Sequence, residues 1–270
     1  MSVDGEPPPI RQLSGKGILC GVMDGANFIA LDPQQRSALL VVSPDILRFP
    51  YHVRYEMLEF AVYCLASRVQ RLVPLHAACI GRGGKGILLL GSSGAGKSTV
   101  SLHCLIQGLD FLAEDSVLIA PEGMMATGVA NFLHIRPDSL RFVDDAQSLA
   151  AIRKSQVIQR RSGVKKFEID LRAPRFRLAR EPLRISAVVF VSPRHGSAGS
   201  LLQPIPKTRL LAELASSQRY AVSQPGWKAF CRSVSHLPAF ELRRGSHPLR
   251  GVEALQQLLP PAPAARLRRS

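Results

Sequence analysis

Residues 91–99 read Gly-Ser-Ser-Gly-Ala-Gly-Lys-Ser-Thr, and few folds can use such a string. The spacing of Gly91, Gly96, Lys97 and Ser98 is that of a phosphate-binding loop. In such a loop backbone N–H groups cradle phosphates, the lysine reaches the β and γ oxygens, and the hydroxyl serves Mg²⁺. Gly94 and Gly96 suit the positive φ angles and the close approach to a nucleotide that the turn requires. The flanks agree with this reading. The apolar run 86–90 predicts a buried strand entering the loop, residues 98–107 predict a helix leaving it with its N-terminus toward the phosphates, and Gly108 is placed to stop that helix. The motif thus predicts an α/β fold, a P-loop core with a mixed sheet flanked by helices, binding a nucleoside triphosphate with Mg²⁺ through Gly91, Ser92, Ser93, Gly94, Ala95, Gly96, Lys97, Ser98 and Thr99.

The chain of 270 residues is 46% apolar, ample for a core. No apolar run approaches the length needed to cross a bilayer. The N-terminus is acidic and proline-rich with no signal-peptide pattern, so a cytoplasmic protein without membrane association is expected. Five cysteines (Cys20, Cys64, Cys79, Cys104 and Cys231) are scattered without a Cys-x-x-Cys pair, which argues against a zinc site or a disulfide framework. Charge is uneven. Residues 1–150 hold 12 Lys/Arg against 14 Asp/Glu, net −2, while residues 151–270 hold 23 against 6, net +17. The second half calls for a phosphate-rich or acidic partner, or simply carries a basic surface. Few aromatics are interleaved with those charges, so nucleic acid is not the expected partner.

Punctuation by turn residues divides the chain into a disordered lead (1–14), a small N-terminal β/α segment (15–70), a P-loop core (71–262) and a disordered basic tail (263–270). The N-terminal segment predicts a small antiparallel sheet over residues 18–42 and a helix over 55–69. In the core, a strand over 75–80 precedes the loop strand, and residues 111–119 read as one strand interrupted by Glu114-Asp115-Ser116. A further strand (131–135), a helix-like stretch (137–151), a basic irregular region (153–180), a buried strand (185–191) and helices at 209–217 and 252–259 complete the pattern.

A phosphate loop alone does not choose among kinases, GTPases and transport ATPases. Phe111-Leu-Ala-Glu114-Asp115 adds an apolar strand ending in two carboxylates, which should return beside the loop strand and carry its acids to the triphosphate. Phosphoryl transfer uses one carboxylate near Mg²⁺ and another to accept the proton of an attacking hydroxyl. Neighbouring strand residues face opposite ways, so the two acids should not share one job. His76 lies on the strand before the loop, and His103 within the loop helix reads as structural.

The order His76 strand, glycine turn, strand, phosphate loop, one helix to Gly108, then Phe-Leu-Ala-Glu-Asp resembles the catalytic core of the HPr kinase/phosphorylase family and its shorter relatives, over residues 72–122. The resemblance implies a fold similar to the HPr kinase C-terminal domain and to phosphoenolpyruvate carboxykinase. It implies that the nucleotide is ATP, and places Lys97 on the β/γ-phosphates and Ser98 on Mg²⁺. The family's Val-Ala-Asp-Asp falls on residues 112–115, which implies Glu114 as general base and Asp115 near the metal, and the family's active-site histidine falls on His76. Glu114 is one methylene longer than the family's aspartate, so the two acids could exchange roles. Ser92 stands where bifunctional members carry Asp, and no phosphorylase-type glycine signature is found.

The expectation is therefore a kinase without phosphorylase activity, acting on a serine of a peptide, protein or small molecule. One short relative type, the kinases of lasso-peptide precursors, acts on a peptide. The family's frequent hexamers make a homo-oligomer an expectation too. Arg136 and Lys165 are candidates for contacting the substrate's phosphate, with Lys166 beside them. A P-loop ATPase or a nucleotide-binding regulatory protein remains the alternative.

Overall fold

Where the sequence reads single strands, the chain twice breaks one in two, and both breaks carry the candidate chemistry. The computed structural model describes residues 6–128, 132–172, 176–196 and 201–261. Strands β1 (Arg11–Gly15), β2 (Ile18–Val22), β3 (Phe28–Asp32) and β4 (Ser37–Val41) form an antiparallel meander. The expected disordered lead is thus structured from residue 6: β1 pairs with β2 along its length, and Glu6 meets His52 at 2.9 Å. A π-helical turn, His52–Leu58, runs directly into α1 (Glu59–Val69). Met57, Ala61 and Cys64 from this helix bury against Met23, Ile29 and Leu31 of the meander, making a core of its own.

The remaining strands are β5 (Val73–Leu75), β6 (Ala78–Arg82), β7 (Lys85–Leu90), β8 (Asp110–Ala113), β9 (Val117–Ala120), β10 (Met125–Gly128), β11 (Phe132–Ile135), β12 (Gln156–Gln159), β13 (Lys165–Asp170), β14 (Leu183–His195), β15 (Leu202–Pro204) and β16 (Ala239–Arg244). The helices are α2 (Lys97–Ile106), α3 (Ala146–Arg153), α4 (Lys207–Ser217), α5 (Arg219–Val222), α6 (Trp227–Val234) and α7 (Pro248–Gln256). The central mixed sheet runs β5-β9-β10-β14-β7-β6-β8, with β16 parallel to β14 and β15 antiparallel to β16. Residue parity assigns the faces. Ile87, Leu89, Ala187 and Val189 pack under α2 and α7, and Leu88, Leu90, Val188 and Phe190 pack under α4 and α6. Helices therefore cover both faces of a mixed sheet. The expected helix over 137–151 is a 3₁₀ turn followed by α3. The region expected to be irregular holds the β12–β13 hairpin, which with β11 makes a third small sheet.

The breaks in the strands shape the sheet. Seven strands laid flat about 4.8 Å apart would separate β5 from β8 by roughly 29 Å. Yet β5 reaches β6 through His76-Ala77 alone, and β8 reaches β9 through Glu114-Asp115-Ser116. Three or four peptide steps span at most about 11–15 Å. The sheet must curl until its ends meet. The acidic strand is accordingly not beside the loop strand as expected, because β6 lies between β7 and β8. Where the ends meet, backbones nearly touch: a Cβ on Gly128 would lie 2.1 Å from the Leu112 carbonyl oxygen.

Cys64, Cys79 and Cys104 are buried free thiols, with burial pushing Cys104 up to about 12, in keeping with packing rather than reactivity. Among the described residues no helix is long and apolar enough to cross a membrane. Because the Gly128 contact is with backbone, it cannot be relieved by a rotamer change. Gly128→Ala is expected to lower unfolding stability by about 2 kcal/mol, read from denaturant midpoints, while Gly25→Ala, at a position with open space and no left-handed φ, serves as the reference.

Candidate active site

The phosphate loop is held open by its glycines. Gly91, Gly94 and Gly96 have φ of +145°, +81° and +110°, and a Cβ on Gly91 would meet the Val191 carbonyl oxygen at 2.6 Å. Helix α2 starts at Lys97, so its unpaired N–H groups face the loop's concavity. The buried Lys97 Nζ donates back to the Gly91 carbonyl at 2.7 Å. Burial lowers the lysine's pKa, opposed by the charges of Asp115 and Glu114. The loop borders a cavity of about 580 Å³ into which Arg136, Arg141, Arg160, Lys166 and Arg244 also face. Only a small part of the basic excess of the second half, Arg160, Lys166 and Arg244 among these, lies at this cavity. The residues fit ATP: a glycine cradle, a helix N-terminus and converging cations are the chemistry polyphosphate needs.

The two acids at the β8–β9 break are placed differently. Glu114 is 1% exposed, and both of its oxygens are engaged. Ser98 Oγ donates to Oε1 at 2.5 Å, and the His134 backbone N–H donates to Oε2 at 2.8 Å. His134 Nδ1 also lies 3.2 Å from Oε2. The chain of contacts continues from His134 Nε2 to Tyr55 Oη (3.1 Å), and from the Tyr55 hydroxyl to Glu168 (2.7 Å), which also accepts from Arg54 (3.0 Å). Burial disfavours a charged His134, but Glu114 and Glu168 outweigh it and raise its pKa. Pairing Ser98 with a carboxylate offers Mg²⁺ one hydroxyl and one acid. This suits an ion that keeps phosphate and water oxygens as its other ligands.

Asp115, by contrast, is open, with 29% of its side chain exposed. Arg160 donates to its Oδ2 at 3.1 Å, and His76 Nε2 lies 3.9 Å from Oδ1. Burial pushes against the Asp115 charge, but His76 and Arg160 hold its carboxyl below the ordinary range. His76 sits at the other break, where the buried Gln218 clamps its peptide by accepting from the N–H (2.7 Å) and donating to the carbonyl (3.3 Å). Burial lowers the His76 pKa, so the ring is predominantly neutral at pH 7.

A second cavity, of about 410 Å³, opens on the far side of Asp115. Tyr51, Tyr55, Glu59 and Tyr63 form one wall, and residues 217–221 form another. Side chains four apart drift about 40° per step around a regular α-helix. The wider π-helical turn at 52–58 offsets that drift and keeps these residues on one face. The two cavities share His76, Asp115, His134 and Arg160.

Of the residues expected from sequence, the phosphate loop, His76, Lys97, Glu114 and Asp115 come together, and Arg136 lines the loop cavity. Lys165 does not. It is exposed on β13 and borders neither cavity, while Lys166, one residue along the strand, faces the loop cavity. Arg160, His134, Tyr55, Glu59 and Gln218 were missed. Arg160 stood in a visible basic run, and the spacing of four in Tyr51-Tyr55-Glu59-Tyr63 was a readable signal hidden within an apolar helix.

Burial pushes the Glu59 carboxyl up to about 7, with Asp115 adding to the shift and His134 opposing it. A raised carboxyl contributes stability below its unfolded value of about 4.3 and loses it as pH climbs through the folded value. Melting temperature is accordingly expected to fall between pH 4.5 and 7 in the wild type, and to fall less over that window in Glu59→Gln.

No family model matches the chain. It is 32% identical over 101 residues to an HPr kinase/phosphorylase of Chlorobium phaeobacteroides, covering 35% of this chain and 30% of that protein. It is 23% identical over 159 residues to the HPr kinase/phosphorylase of Geobacter sulfurreducens, covering 55% of this chain and 48% of that one. The chain thus spans less than half the length of these curated relatives. The solved Hpr(Ser) kinase/phosphatase from Coxiella burnetii aligns over 68% of this chain and 88% of its own, at 12% identity and a TM-score of 0.32. The fold assignment rests on the strand order alone. Over part of its length the chain is thus similar in sequence to HPr kinase/phosphorylases.

Proposed function

We propose that the chain is an ATP- and Mg²⁺-dependent kinase that transfers the γ-phosphoryl group to the serine hydroxyl of a peptide, protein or small molecule and lacks efficient phosphorylase activity. One observation carries this reading: a basic cavity at the phosphate loop and a separate cavity beyond it meet at Asp115, Arg160 and His76. A bare ATPase needs room only for water at that point. The sequence relatives named as HPr kinase/phosphorylases support the same class of chemistry.

Lys97 and the α2 N-terminus hold the phosphates, and Ser98 with Glu114 would hold Mg²⁺. The ion supplies charge neutralisation on the transferring group. This reverses the roles that the family resemblance implies for the two acids. Glu114 is committed to Ser98 and His134, whereas Asp115 borders both cavities and stays ionised. Asp115 is therefore the group placed to accept the acceptor's proton, and Arg160 holds that carboxylate and adds positive charge at the junction. Tyr55, His134 and Glu168 act through Glu114 by fixing its orientation.

Labelled ATP with candidate acceptors tests this. Lys97→Ala should abolish nucleotide binding and transfer together. Asp115→Asn should cut the transfer rate by about a hundredfold or more while nucleotide affinity holds. Glu114→Gln should instead raise the Mg²⁺ concentration at half-maximal rate. Label released only as free phosphate, or Asp115→Asn transferring at the wild-type rate, overturns the reading. Tyr55→Phe should mimic Glu114→Gln weakly, shifting the Mg²⁺ dependence without loss of fold by circular dichroism.

A further inference from the structure

The cavity beyond Asp115 has a composition that selects its occupant, and this inference rests on the kinase reading above for the role of the acceptor. Its volume of about 410 Å³ admits a small molecule or one or two residues of a chain, not a folded surface. Among the described residues the charges around it are paired except at two, Glu59 and the exposed Arg219. Arg160 is committed to Asp115, and Arg54, just behind Tyr55, is committed to Glu168. Arg219 stands exposed in the solvent. Glu59 alone of the lining carboxylates has no hydrogen bond or ion pair among the described residues, though it is only partly exposed. Tyr63 beside it buries a hydroxyl oxygen that has no partner either. An unpaired, partly buried carboxylate on this wall, next to Tyr51 and Tyr55, is costly unless a ligand completes it.

We propose that this wall recognises a positively charged amine on the acceptor, so that the substrate is a hydroxyl compound or short peptide segment bearing an ammonium group next to its serine. A partly buried carboxylate beside tyrosine rings offers an ammonium an opposite charge and ring quadrupoles. Burial pushes the empty Glu59 carboxyl up to about 7, and an incoming cation restores its charge. The ammonium could belong to a free amino acid or to a lysine beside the serine, and the chemistry at Glu59 is the same for both.

Equilibrium binding by calorimetry, in the presence of a non-hydrolysable ATP analogue and Mg²⁺, separates these sources. One pair of probes is L-serine and N-acetyl-L-serine. The other is the capped tripeptide acetyl-Ala-Ser-Lys-amide and its form acetylated on the lysine amine. At least one free-amine probe should bind about tenfold more tightly than its acetylated partner, and Glu59→Gln should erase the difference. Glu59→Asp should restore part of it. Equal affinity within both pairs, no binding by either free amine, or a preference that survives in Glu59→Gln overturns the proposal. Amine-selective binding without label transfer in the active assay keeps this site and instead defeats the kinase reading.

Discussion

A chain that must join the two ends of a seven-strand sheet with links of two and three residues has no option but to curl that sheet. Everything at the candidate site follows from this constraint. The links cannot continue the ladder while they cross from one edge to the other, so they leave it, and the residues in them are freed from pairing. Those residues are His76 with Ala77, and Glu114, Asp115 and Ser116. Each is held on both sides by strands buried on both faces, so the release is local and the positions are fixed. A rigid scaffold with a few backbone positions taken out of it is a physical recipe for a precise site.

The closing of the sheet also explains why adjacent carboxylates differ. Alternation alone would turn Glu114 and Asp115 to opposite faces. The break adds a difference in depth. Glu114 turns inward beneath Ser98 and is sealed at 1% exposure, whereas Asp115 stays at the seam where two cavities touch. Two chemically similar groups thereby acquire separate environments.

The phosphate loop, its strand and its helix were legible because the motif fixes backbone geometry locally: the glycines at 91, 94 and 96 take the φ values that the spacing requires. The central strands at 86–90 and 185–191 were legible because burial on both faces leaves a continuous apolar run. Strand order was not legible. Residues 111–119 look like one interrupted strand, and only long-range pairing reveals that the halves belong to opposite ends of the sheet. The basic hairpin around Arg160 carries no periodicity strong enough to announce its strands, since its partner β11 lies more than twenty residues upstream. The tyrosine wall was hidden for a different reason. Its spacing of four suits a wider turn than the α-helix assumed in reading it.

Arg160 and Arg161 are neighbours at the tip of that hairpin, and they grip different things. Arg160 holds Asp115, while Arg161 pairs with both oxygens of Glu56 on the N-terminal helix at 2.6 Å and donates to the Pro7 and Pro8 carbonyls. One short turn thus fastens Asp115 to the helix that walls the second cavity. The chain from Ser98 through Glu114, His134 and Tyr55 to Glu168 and Arg54 makes a second fastening on the opposite side. The meander and its helix are therefore tied to the core at two places rather than appended to it. The two cavities that meet at Asp115 are thus bordered by elements tied to one another, by Arg160 and Arg161 on one side and by the Tyr55–His134–Glu114 contacts on the other.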